Sequence, residues 1–321
     1  MAVISPDIFS AAEFLKKGDL VGIPTETVYG LAGNALDGSA VAKIFEVKNR
    51  PSFDPLIMHI SGIDQVENYA SNFPEKLKKL AEEFWPGPLT LLLPKKEIVP
   101  DIVTSGLSRV ALRVPAHPLT HSLLGLLDFP LAAPSANPFG YISPTRASHV
   151  SEQLGEKIPL ILDGGPCTVG LESTIVGMED GEVVIYRMGG LSIDAVEEVV
   201  GKVTVRTQSS SRPDAPGLLL SHYAPRVPFL VGNLYELIAE ASKSKKDFAV
   251  LSLSRQFEEI DASRKYILSK DENLNEAAQN LFAAMRQLDS SGAEVILAEY
   301  MPEVGLGRAM NDRLRRAAAK G

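Results

Sequence analysis

The sequence predicts an α/β protein of two domains, the first with a twisted mixed sheet and the second with a small, doubly wound (Rossmann-like) parallel sheet. The 321 residues exceed what one hydrophobic core usually serves, so two domains are expected. Before residue 206, short apolar runs alternate with helical patterns and include a hairpin. After residue 226, strands and helices alternate regularly. Serines and prolines at 207–217 interrupt these patterns, so we expect domains at 1–206 and 227–321 with a linker at 207–226.

Periodicity and turn signals predict the elements of the first domain. Residues 19–25 indicate a strand that enters a turn, and Ser39 to Lys48 carries helical spacing of apolar residues. Alternating apolar residues predict strands at 55–60 and 110–114. A further helix is expected to begin at Ser143, because a serine cap is followed there by a proline.

A hairpin closes the first domain, and a strand–helix alternation builds the second. Asp180 and Gly181 form a typical hairpin turn between two apolar runs. In the second domain we predict strands near 228–232, 248–254 and 293–300, and helices at 234–241, 274–288 and 307–320.

Composition excludes several classes of protein. Hydrophobic residues make up 45% and charged residues 22%, which is ordinary for a folded globular chain. The longest apolar runs are shorter than the ~18 residues of a membrane span, and the first residues lack the pattern of a secretory signal. The single cysteine, Cys167, cannot form an internal disulfide. We therefore expect a cytoplasmic protein with no membrane partner, in which this thiol is buried and structural.

The formal charge of −8 argues against a basic nucleic-acid-binding surface. Residues 1–212 hold 18 Lys and Arg against 25 Asp and Glu, so an anion must be held by a local cluster of cations. No phosphate-binding loop of the Walker type, no zinc-peptidase motif, no nucleophile-elbow serine and no zinc-spaced Cys/His set occurs. The search for a catalytic nucleophile therefore fails.

Polar residues nevertheless occur where a core should have none. Thr25 and Thr27 follow the predicted strand at 19–25, and strand exits in α/β sheets are common ligand sites. Lys48 and Arg50 follow a helix, and the prolines around them would hold both cations near His59. Two fixed cations suit a triphosphate. The alternatives are a plain turn, favourable helix-end charges and a buried histidine without a ligand.

Three further segments carry six more candidate residues. Arg113 within a strand is either solvated or paired with a bound anion. Ser173 opens a strand and Arg187 ends its partner, although Arg187 is equally consistent with a surface arginine. A glycine-containing loop carries a further set of short donors, namely Ser135, Asn137 and Ser143.

Cations and hydroxyls without a nucleophile suit an anionic substrate such as a nucleotide. Rate would then come from positioning and from charge stabilisation.

The segments PTETVYGL, KNRPSFDPLIMH, APSANPFGYISPT, DGGPCTVGLESTIV and YRMG together resemble, in order and spacing, the YrdC-type threonylcarbamoyl-AMP synthases. The linker with PG…HYAP and the extra α/β domain look like the long, two-domain form of that family. The resemblance covers essentially the whole chain and is most specific over residues 18–190. It implies a YrdC-like catalytic domain followed by the smaller domain.

The resemblance implies an enzyme of the nucleotidyltransferase class. Such enzymes make L-threonylcarbamoyladenylate from L-threonine, bicarbonate or CO2 and ATP, with Mg2+ accompanying ATP, and they release pyrophosphate. A downstream tRNA threonylcarbamoyl-transferase complex uses the product to modify the adenosine beside the anticodon. The nucleophile then comes from the substrate, which agrees with the absence of a catalytic serine or cysteine.

The resemblance also implies residue roles. L-Threonine would contact Thr27, His59, Arg113 and Ser173, and Lys48 and Arg50 would hold the triphosphate as the catalytic cations. The nucleotide would be surrounded by a larger set, namely Lys48, Arg50, Asp54, Ser135, Asn137, Ser143, Arg187, His222 and Tyr223. The linker would fold over the site through His222 and Tyr223, excluding water. No metal ligand from the protein is implied.

The chain departs from the family pattern at several positions. Asp54 stands where Asn is common, which places a negative charge near phosphate; Arg109 replaces a small hydroxylated residue, and Ala133 replaces a possible donor. The segment LLLSHY lacks the usual Lys-Tyr-Arg before His-Tyr. The alternative hypothesis is a double-stranded-RNA or ribosome-associated binding module without synthase activity. The acidic balance argues against it, although weak RNA binding at a local basic surface is compatible with the sequence.

Overall fold

A computed structural model describes residues 1–206 and 222–319 of the chain. It confirms the α/β class, with a large mixed sheet in the first domain and a smaller parallel sheet in the second. Of the predicted linker at 207–226, residues 207–221 lie outside the described residues, so the predicted domain boundaries stay a prediction. Among the helices that are described, none is both long enough and apolar enough to cross a membrane.

The first domain is organised around one mixed sheet, which has 11 strands in the described residues. Its strand order is β1-β8-β2-β3-β7-β4-β6-β5-β9-β10-β11. In chain order the strands are β1 (Val3–Ser5), β2 (Val21–Ile23), β3 (Gly30–Asn34), β4 (Ile57–His59), β5 (Leu89–Pro94), β6 (Arg109–Arg113), β7 (Leu131–Ala132), β8 (Leu160–Leu162), β9 (Thr174–Glu179), β10 (Glu182–Arg187) and β11 (Thr204–Val205).

Helices cover this sheet. They are α1 (Ile8–Lys16), α2 (Gly38–Lys48), α3 (Val66–Tyr69), α4 (Glu75–Phe84), α5 (Asp101–Thr104), α6 (Pro118–Gly125), α7 (Ala147–Leu154) and α8 (Ile193–Val200). α2 begins after Asp37, whose carboxylate accepts a hydrogen bond from the Ser39 N–H, and it ends at Asn49 in a left-handed conformation. The left-handed residue turns the chain so that Arg50 heads back toward the sheet.

The register of two central strands places the polar residues of the site side by side. β4 and β6 run parallel, and His59 pairs with Arg113 at their ends. Because side chains alternate along a strand, Met58 and Leu112 enter the main core, while Ile57 and Ala111 pack on the opposite face. The alternation predicted for both strands is confirmed.

The second domain is a four-stranded parallel sheet in the order β12-β15-β13-β14. Its elements are β12 (Phe229–Val231), α9 (Leu234–Lys243), β13 (Phe248–Ser252), β14 (Lys265–Ile267), α10 (Leu274–Asp289), β15 (Val295–Ala298) and α11 (Gly307–Ala318). β14 was not predicted, because a three-residue strand containing a lysine has little periodicity to detect. The three other strands and the three helices match the sequence analysis.

The helix expected to begin at Ser143 is a wrong prediction. α7 begins at Ala147, with Arg146 at the cap position. The backbone before it pairs with neighbouring segments instead: the Pro144 carbonyl accepts from the Tyr29 N–H at 2.8 Å, and the Thr145 carbonyl from the Cys167 N–H at 3.0 Å. These bonds hold residues 143–145 outside the helix, so Ser143 is not a helix cap.

The two domains share a buried interface. One apolar cluster joins Val28, Ile142 and Leu171 of the first domain to residues of α10 and α11. Beside it, the fully buried carboxylate of Asp289 accepts from the Tyr141 hydroxyl at 2.6 Å and from Arg226 at 2.7 Å (N) and 2.8 Å (Nε). Burial alone would raise the pKa of Asp289, but the hydrogen bonds from Tyr141 and Arg226 outweigh it and lower that pKa below 3.8.

We expect Asp289→Asn to lower the free energy of unfolding by about 2–3 kcal/mol at pH 7, because the buried side chain loses its charge-assisted hydrogen bonds from Tyr141 and Arg226. A depressed pKa contributes stability above its unfolded value and loses it as pH falls. The difference in the free energy of unfolding between Asp289→Asn and wild type should therefore become smaller only below about pH 4.

Urea unfolding measures both effects. Asp247→Asn is the matched control, since it removes an exposed ion pair with Arg264 and should cost less than about 1 kcal/mol. Equal losses for the two variants would contradict the role given to Asp289.

Candidate active site

Most of the predicted polar residues converge on one cavity, which lies where β2, β4, β6 and β10 end and where β9 begins, and which is bordered by His222 and Tyr223 of the linker. It holds about 580 Å³ of space between its lining atoms, part of which is open to solvent. Its wall is formed by Thr25, Thr27, Val28, Gly30, Arg50, Pro55, Leu56, Ile57, His59, Arg113, Ala133, Pro134, Ser135, Glu172, Ser173, Arg187, His222 and Tyr223.

The strand exit after β2 is fixed by hydroxyl hydrogen bonds. The Oγ1 atoms of Thr25 and Thr27 lie 2.7 Å apart, and Thr25 Oγ1 donates to the Val28 carbonyl at 2.6 Å. The Thr27 N–H in turn donates to Thr25 Oγ1 at 3.1 Å. This small turn holds the buried Thr27 hydroxyl at the cavity wall, so it is more than a plain connection.

His59 and Arg113 form the next part of the wall. Arg113 donates through Nη2 to Glu26 Oε1 at 2.6 Å and through Nε to the Gly87 carbonyl at 3.2 Å. Burial, and then the nearby Arg113 charge, lowers the pKa of His59 to about 3, so its ring is neutral at physiological pH. Its buried Nδ1 has no hydrogen-bond partner among the described residues. A buried polar atom left in this way is a docking point for a ligand.

Arg50 lies against an acidic partner. Its Nη2 is 3.0 Å from Asp54 Oδ2, and its Nε and Nη2 donate to the carbonyls of Asp54 and Pro55. Burial lowers the pKa of Arg50, and the Asp54 charge opposes that shift. The negative charge expected at Asp54 is therefore balanced by Arg50 within the protein.

Lys48 lies behind the cavity wall. Its Nζ donates to the carbonyls of Ser135 and Asn137, each at 2.5 Å, and its side chain is buried. Burial lowers the pKa of this amine well below its usual value, with the Arg50 charge acting in the same direction. In this arrangement Lys48 shapes the loop that carries two predicted nucleotide ligands.

Ser173 and Arg187 form the opposite wall. Arg187 donates through Nε and Nη2 to the Ser173 carbonyl and through Nη2 to Ser173 Oγ at 3.1 Å. Thr90 Oγ1 lies 2.7 Å from the same hydroxyl. Burial lowers the pKa of Arg187 to about 10, so it stays charged at neutral pH, and the interpretation as a surface arginine is wrong.

Two aromatic residues within the described part of the predicted linker, His222 and Tyr223, close the cavity on the side of the second domain. The His222 ring lies edge-on to Phe139 and 4.2 Å from the Tyr223 ring, which stacks on Phe282 at 5.5 Å. Tyr223 has a φ of 65°, in the left-handed region, which costs of order 1 kcal/mol for a residue of its size. Its surroundings hold it there, as is common at binding sites.

Comparison with known proteins identifies the family. Residues 13–189 match the Sua5/YciO/YrdC model, described as "Telomere recombination", and residues 191–319 match "Threonylcarbamoyl-AMP synthase, C-terminal domain". The threonylcarbamoyl-AMP synthase of Pyrococcus abyssi is 43% identical over 96% of this chain and 93% of its own. That of Bacillus subtilis is 39% identical over 98% and 93%.

A solved structure, P. abyssi Sua5 complexed with L-threonine, superposes with a TM-score of 0.93 at 41% identity, covering 99% of this chain and 97% of that one. The chain belongs to the threonylcarbamoyl-AMP synthase family. The resemblance drawn from the sequence is confirmed, and so is the prediction of an enzyme of the nucleotidyltransferase type with a YrdC-like domain. The alternative of a binding module without synthase activity is not supported.

Nine of the 13 predicted site residues of this synthase line the cavity: Thr27, Arg50, His59, Arg113, Ser135, Ser173, Arg187, His222 and Tyr223. The other four lie just behind its wall. They are Lys48 and Asp54, described above, Asn137, whose buried Oδ1 has no partner among the described residues, and Ser143, which donates to Glu172. The roles implied for all 13 stay predictions.

The sequence analysis missed the carboxylates that support the arginines. Glu26 holds Arg113, and Glu172 holds Ser143 and a residue of the second domain. Both lie inside the quoted motifs, as PTETVYGL and LESTIV. The sequence did contain a signal for both residues, namely a charged residue within a motif whose other residues are mostly apolar or carry hydroxyls.

The side chains that commonly bind metal ions are scattered in the described part of the chain. Across residues 1–206 and 222–319, no three His, Cys, Asp or Glu side chains come together as a ligand set. The carboxylates at the cavity are engaged with arginines instead. Burial raises the pKa of the Cys167 thiol to about 12, which agrees with a structural role.

We expect the rings of His59 and His222 to stay neutral from pH 8 to pH 5. Burial and neighbouring cations lower the pKa of His59 to about 3 and hold that of His222 well below its usual value. The imidazole NMR resonances, assigned by their loss in His59→Gln and His222→Gln, should not shift over this range. A titration midpoint above pH 5 for either ring would contradict the burial described.

Proposed function

We propose that this enzyme makes L-threonylcarbamoyladenylate from L-threonine, bicarbonate or CO2 and ATP, releasing pyrophosphate. The observation that carries the proposal is a single cavity with cations on several sides. It combines a neutral His59, whose Nδ1 has no partner among the described residues, and an anchored Arg113 on one side with Arg50 and Arg187 on the other sides. The full-length likeness to a synthase solved with L-threonine supports it.

The amino acid would bind at the ends of the paired strands β4 and β6, where His59 and Arg113 lie side by side. Arg113 would take its carboxylate, because Glu26 and the Gly87 carbonyl fix the guanidinium while no hydrogen bond among the described residues uses Nη1. The neutral His59 ring, together with the Thr27 and Ser173 hydroxyls, would bind the hydroxyl and amine groups. Because His59 carries no charge, it does not repel a substrate ammonium.

The nucleotide would lie between the two domains. Arg50 and Arg187 are the cations of the cavity wall besides Arg113 and would neutralise phosphate charge, and the Tyr223 and His222 rings offer apolar faces. Ser135 and Asn137 would contact the nucleotide from the loop that Lys48 holds, and Ser143 would do so beside Glu172. Mg2+ would enter as the ATP complex, and the proposal requires no ligand for it from the protein.

The chemistry needs no nucleophile from the protein. The threonine amine takes up CO2 to give a carbamate and a proton, and a carbamate oxygen then attacks the α-phosphorus of ATP. A new P–O bond forms, the bond to the β-phosphate oxygen breaks, and pyrophosphate leaves with its charge. The chain would contribute orientation of the two substrates and stabilisation of the charge that develops on phosphate.

The product is a mixed anhydride that water hydrolyses, so its consumer must act soon after release. We propose that a tRNA threonylcarbamoyl-transferase complex uses it to modify the adenosine beside the anticodon. A cytoplasmic location and weak RNA binding accord with this role and stay predictions.

Purified protein should release pyrophosphate from ATP only when L-threonine and bicarbonate are both present. Arg50→Met should reduce this release by at least about 100-fold, because a cation that acts on the phosphates is lost. Arg109→Met is the matched control: Arg109 contacts Tyr186 outside the cavity, so activity should stay within about twofold of wild type.

Release that does not depend on threonine would overturn the proposed reaction. Dependence on both substrates with full activity in Arg50→Met would instead overturn only the role of Arg50. Circular dichroism of both variants checks that the fold is retained.

A further inference from the structure

A buried arginine of the second domain reaches the back of the catalytic cavity. Arg313, on α11, is fully buried, and its Nε donates to Glu172 Oε2 at 2.9 Å. Its Nη2 donates to the Met188 carbonyl at 2.9 Å, and its guanidinium lies 5.1 Å from the centre of the Tyr223 ring. One side chain thus contacts the wall of the first domain and the aromatic residue that closes the cavity.

Glu172 links Arg313 to Ser143, one of the predicted nucleotide ligands. Its second oxygen, Oε1, accepts from Ser143 Oγ at 2.5 Å, and its carboxylate is part of the cavity wall. The next residue, Ser173, accepts from Arg187. A continuous line of hydrogen bonds therefore runs from α11 through Glu172 to Ser143, beside the pair of Ser173 and Arg187.

The pair of Arg313 and Glu172 is charged in the folded protein. Burial would raise the pKa of Glu172, but the Arg313 and Arg187 charges outweigh it and lower that pKa. Burial would likewise lower the pKa of Arg313, and Tyr223 with Glu172 reverses the shift. Removing Arg313 would leave Glu172 as a buried carboxylate without its ion-pair partner, whereas Arg313 also pairs with Asp312 at 2.6 Å.

A second arginine of the same domain supports the same segment. Arg286, on α10, donates through Nη2 to the Ile142 carbonyl at 2.5 Å and contacts the Ser143 carbonyl at 3.4 Å. Two helices of the second domain thus support the segment that carries Ser143. Arg286 on α10 bonds to the backbone of this segment, and Arg313 on α11 reaches the Ser143 side chain through Glu172.

We propose that Arg313 is a positioning residue for the nucleotide: through Glu172 it orients Ser143, and through its contact with the ring it orients Tyr223. Arg313 does not line the cavity and is not itself a catalytic residue. This inference rests on the proposed function and gives the second domain a part in building the ATP site.

Three variants, Arg313→Met, Arg313→Lys and Arg308→Met, test whether Arg313 positions nucleotide ligands or only helps to hold the two domains together. Arg313→Met should raise the KM for ATP by at least about tenfold while the KM for L-threonine changes less than about twofold. Arg313→Lys should recover part of the loss, because it can keep an ion pair with Glu172 but not the second bond to the Met188 carbonyl.

Arg308→Met is the matched control. Arg308 lies on the same helix and makes a partly exposed ion pair with Asp194 of the first domain, 3.4 Å long, away from the cavity. Its two KM values should remain those of wild type. Equal effects of Arg308→Met and Arg313→Met would reduce Arg313 to a structural contact and overturn the proposal.

The double variant Glu172→Gln/Arg313→Met tests the route through Glu172. The Glu172→Gln change removes the carboxylate that Arg313→Met alone would leave buried without its ion pair. The double variant can therefore still be tested if Arg313→Met alone does not fold. If Arg313 acts through Glu172, the double variant should bind ATP no more weakly than whichever of Glu172→Gln and Arg313→Met has the lower ATP affinity. Fully additive losses, or ATP binding like that of wild type in the double variant, would overturn the proposal.

Calorimetric titration with ATP makes this test independent of turnover. Wild type that binds ATP but releases no pyrophosphate would overturn the proposed reaction, while the ATP affinities of the variants would still decide the role of Arg313. Wild type that does not bind ATP would overturn both.

Discussion

The site depends on buried pairs of arginine and carboxylate. An anion-binding cavity needs cations in a protein interior, where an isolated charge is costly. Glu26 with Arg113, Asp54 with Arg50 and Glu172 with Arg313 meet that requirement in the described structure. Each carboxylate also fixes the geometry of its arginine before any substrate arrives. The cavity therefore keeps its cations ordered even though the chain as a whole is acidic.

These pairs also make the cavity suitable for a substrate with two anionic parts, as the proposed function requires. Arg113 lies on one side, its Nη1 in no hydrogen bond with the residues the structure describes, and Arg50 and Arg187 lie on the other sides of the cavity. Between them are hydroxyls and a neutral histidine, which bind polar groups without adding charge. Such an arrangement orients two reactants and stabilises charge on phosphate, and it offers no activated nucleophile. That is the combination a substrate-derived carbamate requires.

Much of this was predictable from sequence, for identifiable reasons. His59 and Arg113 stand out because each interrupts an apolar alternation. Their pairing at the ends of β4 and β6 was not predicted, because alternation within a strand does not determine its partner or its register. Ser143 was assigned to the site but explained wrongly as a helix cap, since hydrogen bonds from Tyr29 and Cys167 to the backbone after it come from distant segments. Glu172 and Arg313 were missed because their partnership spans 141 positions of the chain and two domains. No local pattern encodes such a contact.

The origin of the carbamoyl carbon decides the central claim most directly. Wild-type enzyme would be incubated with ATP, L-threonine and 13C-bicarbonate, and the adenylate product examined at once by mass spectrometry. We expect threonylcarbamoyladenylate that is heavier by one mass unit than the product from unlabelled bicarbonate. An adenylate that carries threonine without the label, or hydrolysis of ATP with no such adduct, would contradict the reaction assigned to this cavity.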